Sequence, residues 1–387
     1  MSKRILPEKW DATKAAYAVM RRMVKVNAHY VKGAHDSEFV CGKNRAYIVS
    51  LVNDKRAGEN PFWLDMYSTL SIVNMDTLTV ERVIDFAKGG QKFGNVILPE
   101  GTCTVPRIIR KDKNTIRCYF ASENPGRRQA QMWYRDFNLS SGEFEPNIYC
   151  AKIKTSKGTF DMQPKYFFED ANVPARQRNE LDFGLFFVDS FKQFDGKIYV
   201  VINNFFANLN ALALLHNDYA TFEILGHYDK PYDKKLSESS VNRLPDGTWL
   251  AICRSEIPGG NYLFTFSKDG KEWTDAVEMP FVKNGDQSKP IFDRFNDVYY
   301  LGYQESTRIE NVPRSIFNID VSVDCIHWER KYRFESKNSF QYPTLHEHNG
   351  SIWMTVTQGD TNETQHAMYK ERIMFGKLED IIPGSRR

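Results

Sequence analysis

Four cations, Arg107, Lys192, Arg254 and Lys289, fall at comparable points of a recurring strand-turn-strand pattern, and His35, Tyr342, Gln304 and Gln341 fall there too. Asp36, Glu38, Glu238 and Asp286 accompany them, with Glu123 and Glu256 at the far ends of the partner strands. Cations converging on one pocket fit an anionic ligand, and a carboxylate gripped by an arginine fork is the simplest one. Two chemistries use such a set. A glycosidase needs two carboxyl groups about 5 to 10 Å apart, one of them held protonated; Asp36, Glu38 and Glu238 are available, but no spacing singles out a pair. Elimination at a uronate needs a cation on the substrate carboxylate and a His, Tyr or Lys to take the C5 proton, and these parts are more plainly present. The plainer alternative is that the charges neutralise one another between neighbouring units.

The elements that would position these residues repeat. Six hairpins can be read: Glu38 to Leu51, Arg107 to Ala121, Lys192 to Asn203, Asn242 to Cys253, Ile291 to Tyr303 and Thr344 to Thr357. Each has an Asp, Asn or Gly turn between runs rich in β-branched and aromatic residues. The last four turns recur at about 50 residues, the length of a four-stranded propeller blade. The longer second interval, with Asp161 to Phe168 and a polar loop Val173 to Asp182, leaves room for a further blade. The expectation is an all-β, seven-bladed β-propeller spanning 1–387 as one domain, with a helical segment within 8–26 capped by Asp11 or Thr13. Ser267-Lys268-Asp269-Gly270-Lys271-Glu272-Trp273 and Ser322-Val323-Asp324-Cys325-Ile326-His327-Trp328 read as Asp-box turns, marks of sialidase-like blades with a structural role only.

Composition narrows the function classes. The formal charge is +3, with 52 basic and 49 acidic groups, and no basic stripe interleaves with aromatics, so no nucleic-acid partner is expected. No apolar run is long enough to cross a bilayer, so no membrane partner is expected, and the start reads as a cytoplasmic protein, or a periplasmic or secreted one whose export signal has been removed. The six cysteines lack metal-ligand spacing and read as buried, unpaired side chains. His216 and His227 lack a third ligand, His346 and His348 read as solvated, and Arg127-Arg128 sit in a loop that could overhang the pocket. No cofactor is required, an axial Ca2+ is left open, and a monomer is expected.

Gly33-Ala34-His35-Asp36-Ser37-Glu38-Phe39, Thr159 to Pro164, Ser190 to Lys197 and Ser339 to Thr344 resemble the propeller enzymes of glycoside hydrolase family 145 and polysaccharide lyase family 42, over about residues 25 to 380. The resemblance implies action on L-rhamnose α-1,4-linked to D-glucuronate, the cap of arabinogalactan side chains, so that the partner is an acidic glycan. In the lyase form, Arg107 or Arg254 binds the uronate, His35 is the base, and Lys192, Glu238, Lys289, Gln304, Gln341 and Tyr342 orient the sugars. In the hydrolase form, an α-L-rhamnosidase, the site is a histidine on the opposite face, for which His29 is the candidate. A binding propeller without catalysis and a sugar-processing enzyme of altered substrate are the competing readings.

Overall fold

The computed structural model describes residues 4–57, 65–124, 129–171, 184–362 and 365–381. Among these, all six hairpins form, and each is the inner part of one antiparallel sheet. In chain order the inner pairs are Gly33–Cys41 with Arg45–Asn53, Thr102–Arg110 with Thr115–Asn124, Lys192–Phe194 with Lys197–Asn204, Leu236–Arg243 with Trp249–Ser255, Ile291–Phe295 with Val298–Glu305, and Gln341–His348 with Ser351–Asn362. The sheets follow one another around an axis, the first strand of each lying innermost. Five have four strands or more; Leu236–Ser267 has three, supplemented by a bridge between Phe264 and Val277.

Seven blades are not found. Of the stretch expected to make the extra one, Asp161 ends a hairpin, Lys152–Thr155 with Gly158–Asp161, which pairs in parallel with Thr221–Tyr228 and widens the outer edge of the third blade. A short helix, Pro164–Phe167, follows. The expected loop Val173 to Asp182 lies outside the described residues, as do Arg127 and Arg128.

The core divides as this ring requires. Six separate apolar clusters fill the seams between successive blades, for example Leu70 with Phe120 between the first and second, and Phe39 with Phe375 between the first and last. Strands covered on both faces are apolar nearly throughout, and Arg45–Asn53 is buried at every position after its first. The ring is closed by the N-terminus: Val24 and Lys25 pair with Phe375 and Met374. The preceding helix, α1 (Ala12–Met20), is capped by Asp11, which accepts the Lys14 N–H at 2.9 Å, and buries Ala16 and Val19 against the seam between the last two blades.

Both Asp-box turns have one geometry. Asp269 Oδ1 accepts the N–H of Lys271 and Glu272, and Asp324 Oδ1 accepts those of Ile326 and His327. The indoles of Trp273 and Trp328 donate back to the carbonyls of Gly270 and Cys325. Gly270 and Cys325 hold the same left-handed position, φ 80° and 58°, so the glycine of the motif is favoured there but not obligatory. The first turn seats against the third blade at Gly226, where a Cβ would lie 2.2 Å from the Lys271 carbonyl oxygen. Gly226→Ala is therefore expected to part these blades and lower stability by about 2 kcal/mol, read as a lower urea midpoint; an unchanged midpoint would show that the seam can yield.

Candidate functional site

The inner strands do not run straight to the axis. Those of the first, second, fourth and last blades each carry a β-bulge, between His35 and Ser37, Thr104 and Arg107, Leu236 and Ser239, and Gln341 and Thr344. Bulges re-aim side chains, and Asp36, Val105, Glu238 and Tyr342, which lie within them, all line an axial cleft of about 280 Å³. Asp36, Val105 and Tyr342 have positive φ, 41°, 43° and 54°. For non-glycine residues, Val105 above all, this is a strained backbone of the kind that concentrates at functional sites.

One half of the cleft is polar. The Tyr342 hydroxyl lies 2.6 Å from both Glu238 carboxylate oxygens and accepts from Arg254 at 3.0 Å. Burial, then the Glu238 charge, push the phenol well above its ordinary value, so it rests protonated with an acceptor already in contact. Arg254 also pairs with Glu256 at 2.8 Å. His35 stands beside Tyr342, ring centres 4.4 Å apart, and its Nδ1 meets Glu371 at 3.0 Å. Gln341 lies behind, donating to Glu371 and accepting from Arg314. Arg314 also donates to the Gln287 carbonyl and lies over the Tyr342 ring, its guanidinium carbon 5.6 Å from the ring centre. Both of its hydrogen bonds go to neutral acceptors, so among the described residues its charge has no carboxylate partner.

At the centre, Asp36 accepts from Arg107 at 2.9 Å and Lys289 at 2.7 Å. Burial opposes its ionisation, but the two cations outweigh burial and hold the carboxyl well below the usual range. Leu51, Met66, Phe186, Val188, Phe205 and Phe206 give the cleft its apolar lining, to which the carboxyl of Glu123 also belongs; Leu51 stands opposite His35 in the first hairpin, and the Arg254 guanidinium carbon lies 5.8 Å from the Phe205 ring centre. Glu123 accepts from Gly184 N–H at 2.7 Å and Thr104 Oγ1 at 3.4 Å, and burial raises its pKa to about 8.

Six expected residues thus converge on the cleft: His35, Arg107, Glu238, Arg254, Lys289 and Tyr342. Gln341 supports it from behind. Three others do not belong. Lys192 is buried elsewhere on the axis, its ammonium donating to Ser240 Oγ and the carbonyls of Val241 and Phe292, with Asp189 and Asp293 at 3.0 and 3.3 Å. Among the described residues no three His, Cys, Asp or Glu side chains cluster as a site for the Ca2+ left open above. Gln304 is fully buried, donating to the Ile316 carbonyl, and His29 is exposed against Tyr30, outside the cleft. His346 is not simply solvated: its Nε2 meets Glu38 at 2.6 Å. His227 bonds the Phe167 carbonyl and His216 meets Glu223, neither in a metal site. Arg314 and Glu371 escaped the sequence reading because they lie outside the inner hairpin positions. Glu123 lay within those positions, but nothing local in sequence told of its dry surroundings.

The Glu123 carboxyl binds its proton more tightly folded than unfolded, so its contribution to stability is complete below about pH 4.5 and is lost as pH rises through about 8. Glu123→Gln removes that dependence and can keep the bond from Gly184. The variant should match the wild type near pH 4.5 and become the more stable protein toward pH 8, by at most about 4 kcal/mol. Parallel stability–pH curves in denaturant would contradict this assignment.

No protein-family model matches the sequence, and no curated protein matches it. Solved structures do match in fold. A protein of unknown function from Dyadobacter fermentans superposes with a TM-score of 0.64 at 13% identity, over 93% of this chain and 98% of that one. Trypanosoma rangeli sialidase in complex with the inhibitor DANA gives 0.60 at 11% identity, over 92% of this chain and 57% of the sialidase. The same sialidase as a covalent intermediate with 2,3-difluorosialic acid gives 0.59 at 11% identity. The chain therefore has a β-propeller fold similar to that of sialidase, and it spans a little over half of that enzyme's length.

Proposed function

We propose that the axial cleft cleaves a glycosidic bond to an acidic sugar, with Tyr342 reacting at the anomeric carbon and Glu238 receiving its proton. The observation that carries this reading is the contact of the Tyr342 hydroxyl with both Glu238 oxygens inside the cleft. A neutral phenol is a weak nucleophile, and a carboxylate in contact removes its proton as it attacks; a tyrosine nucleophile is one of the known routes of glycoside hydrolysis. Arg254 and Arg314 flank the phenol. Arg314, which has no carboxylate partner among the described residues, is the group to bind the sugar carboxylate. The covalent intermediate named for the sialidase of like fold is consistent with such a step.

Elimination on L-rhamnose-α-1,4-D-glucuronate is the second reading, favoured by His35 beside Tyr342. There the His35 imidazole takes the C5 proton, the C4–O bond breaks with its electron pair on the departing rhamnose oxygen, and that oxygen takes the Tyr342 proton, leaving a 4,5-unsaturated uronate. Arg107 is a poor partner for the substrate in this scheme, being fully buried against Asp36.

Aryl sialosides, aryl glucuronides and rhamnosyl-glucuronate-capped arabinogalactan separate the readings when sugar release and unsaturated-uronate absorbance are followed together. Hydrolysis predicts release without absorbance. Tyr342→Phe should lower kcat at least about 100-fold with little change in KM, and Arg314→Ala should raise KM about tenfold or more for acidic substrates. Absorbance that rises with release would transfer the assignment to elimination, and tight binding without turnover would make the protein a glycan-binding propeller.

A further inference from the structure

Three carboxyl groups line the cleft among the described residues, and two of them are committed to cations: Asp36 to Arg107 and Lys289, and Glu238 to Arg254. Glu123 has no such partner. It ends the second strand of the second blade, whereas Glu238 and Tyr342 come from the fourth and last. In a ring of six, the second blade lies across the axis from the fifth, which the fourth and last flank. A sugar seated in the cleft would therefore have Tyr342 on one side and Glu123 on the other.

The surroundings of Glu123 are built. Gly184 donates its N–H to one carboxyl oxygen, and its backbone, at φ 91°, lies so close to Phe206 that a Cβ would meet the ring at 2.6 Å. Glycine there lets an aromatic side chain close over the carboxyl while the amide holds it in place. Among the described residues, the second oxygen has only the long contact with Thr104. Phe186 and Phe206 both lie within 4 Å of where a Cβ on Gly184 would stand, and with Phe205, whose ring also faces Arg254, they line the cleft as a wall suited to keeping water from a leaving group.

We propose that Glu123 donates the proton to the leaving group of the cleaved glycoside, and that the Phe186, Phe205 and Phe206 wall is the subsite for that group. This rests on the glycosidic reading of Tyr342 given above. In the first half-reaction the C1–O bond breaks, its electron pair stays on the departing oxygen, and that oxygen takes the Glu123 proton. The Tyr342 oxygen bonds to C1 and its proton passes to Glu238. In the second half-reaction water attacks C1 and loses its proton to the Glu123 carboxylate. The bond to Tyr342 breaks and the phenolate recovers its proton from Glu238. The net change is addition of water across the glycosidic bond. The carboxyl resting neutral through burial is the form this role needs.

The test is a series of glycosides of one acidic sugar, sialic acid or glucuronic acid, with leaving groups from methanol to 2,4-dinitrophenol, run on wild type, Glu123→Gln and Glu123→Asp. A dinitrophenolate departs without a proton, whereas an alkoxide needs one. Glu123→Gln should lose about 10³-fold on the methyl glycoside and far less on the dinitrophenyl one, with Glu123→Asp between. A loss of equal size along the whole series, or none, overturns the role of Glu123 while wild-type turnover leaves Tyr342 standing. Absence of wild-type turnover on every glycoside in both sugar series overturns both. A cooperative melting transition for each variant, no more than a few degrees below that of wild type, shows that the comparison is made on folded protein, and Glu123→Asp carries the test if the glutamine variant does not fold.

Discussion

A carboxylate buried on the axis, Asp36, sets the terms for what surrounds it. A lone charge in so dry a place costs several kcal/mol and must be paired. Arg107 and Lys289 supply the pairing from the second and fifth blades, and Arg107 also reaches the Val188 carbonyl of the third. One side chain on a bulge of the first blade thus ties together inner strands that share no hydrogen-bond ladder. The same pairing takes two of the cations expected to bind substrate out of direct use. Arg314, bonded among the described residues to neutral groups, keeps the charge that a ligand can answer in the proposed reaction.

The two halves of the cleft divide the chemistry. On the polar side, Tyr342, Glu238, Arg254 and His35 form a continuous set in which a proton has somewhere to go and a charge has a partner. Among the apolar lining, burial raises the pKa of Glu123, and Gly184, which donates to it, lies against Phe206. Two carboxyl groups in unlike surroundings, Glu238 paired with Arg254 and Glu123 raised by burial, suit the separation of acid and base that the proposed glycoside cleavage needs. Lower on the axis, Lys192 with Asp189 and Asp293, and Glu38 with His346 and Ser190, do other work: they satisfy buried acceptors and join blades where no substrate reaches.

Much of this was legible because turns and strand starts are local. The Asp, Asn and Gly turns marked all six hairpins, and the Asp-box turns carried their own capping chemistry in Asp269, Asp324 and their tryptophans. The positions next to the axis then separated His35, Arg107, Glu238, Arg254, Lys289 and Tyr342 from the other charges. The blade count was not local. The stretch Asp161 to Phe168 left room for a further blade, but Asp161 ends a hairpin that pairs in parallel with Thr221–Tyr228 as an addition to the third blade, and Pro164–Phe167 turn into a short helix. Lys192 occupied the same register as Lys289, yet its acceptors come from the fourth and fifth blades and hold it away from the cleft. Arg314 and Glu371 reach the site from connections and an outer strand, which no inner-strand pattern can reveal.

The central claim is that Tyr342 forms the bond to the sugar, and trapping that bond tests it most directly. Incubation with fluorinated acidic glycosides bearing an activated leaving group, followed by proteolysis and mass spectrometry, should find the sugar on the peptide containing Tyr342 and no adduct in Tyr342→Phe. Turnover that leaves Tyr342 unmodified, or an adduct on another side chain, would contradict the account.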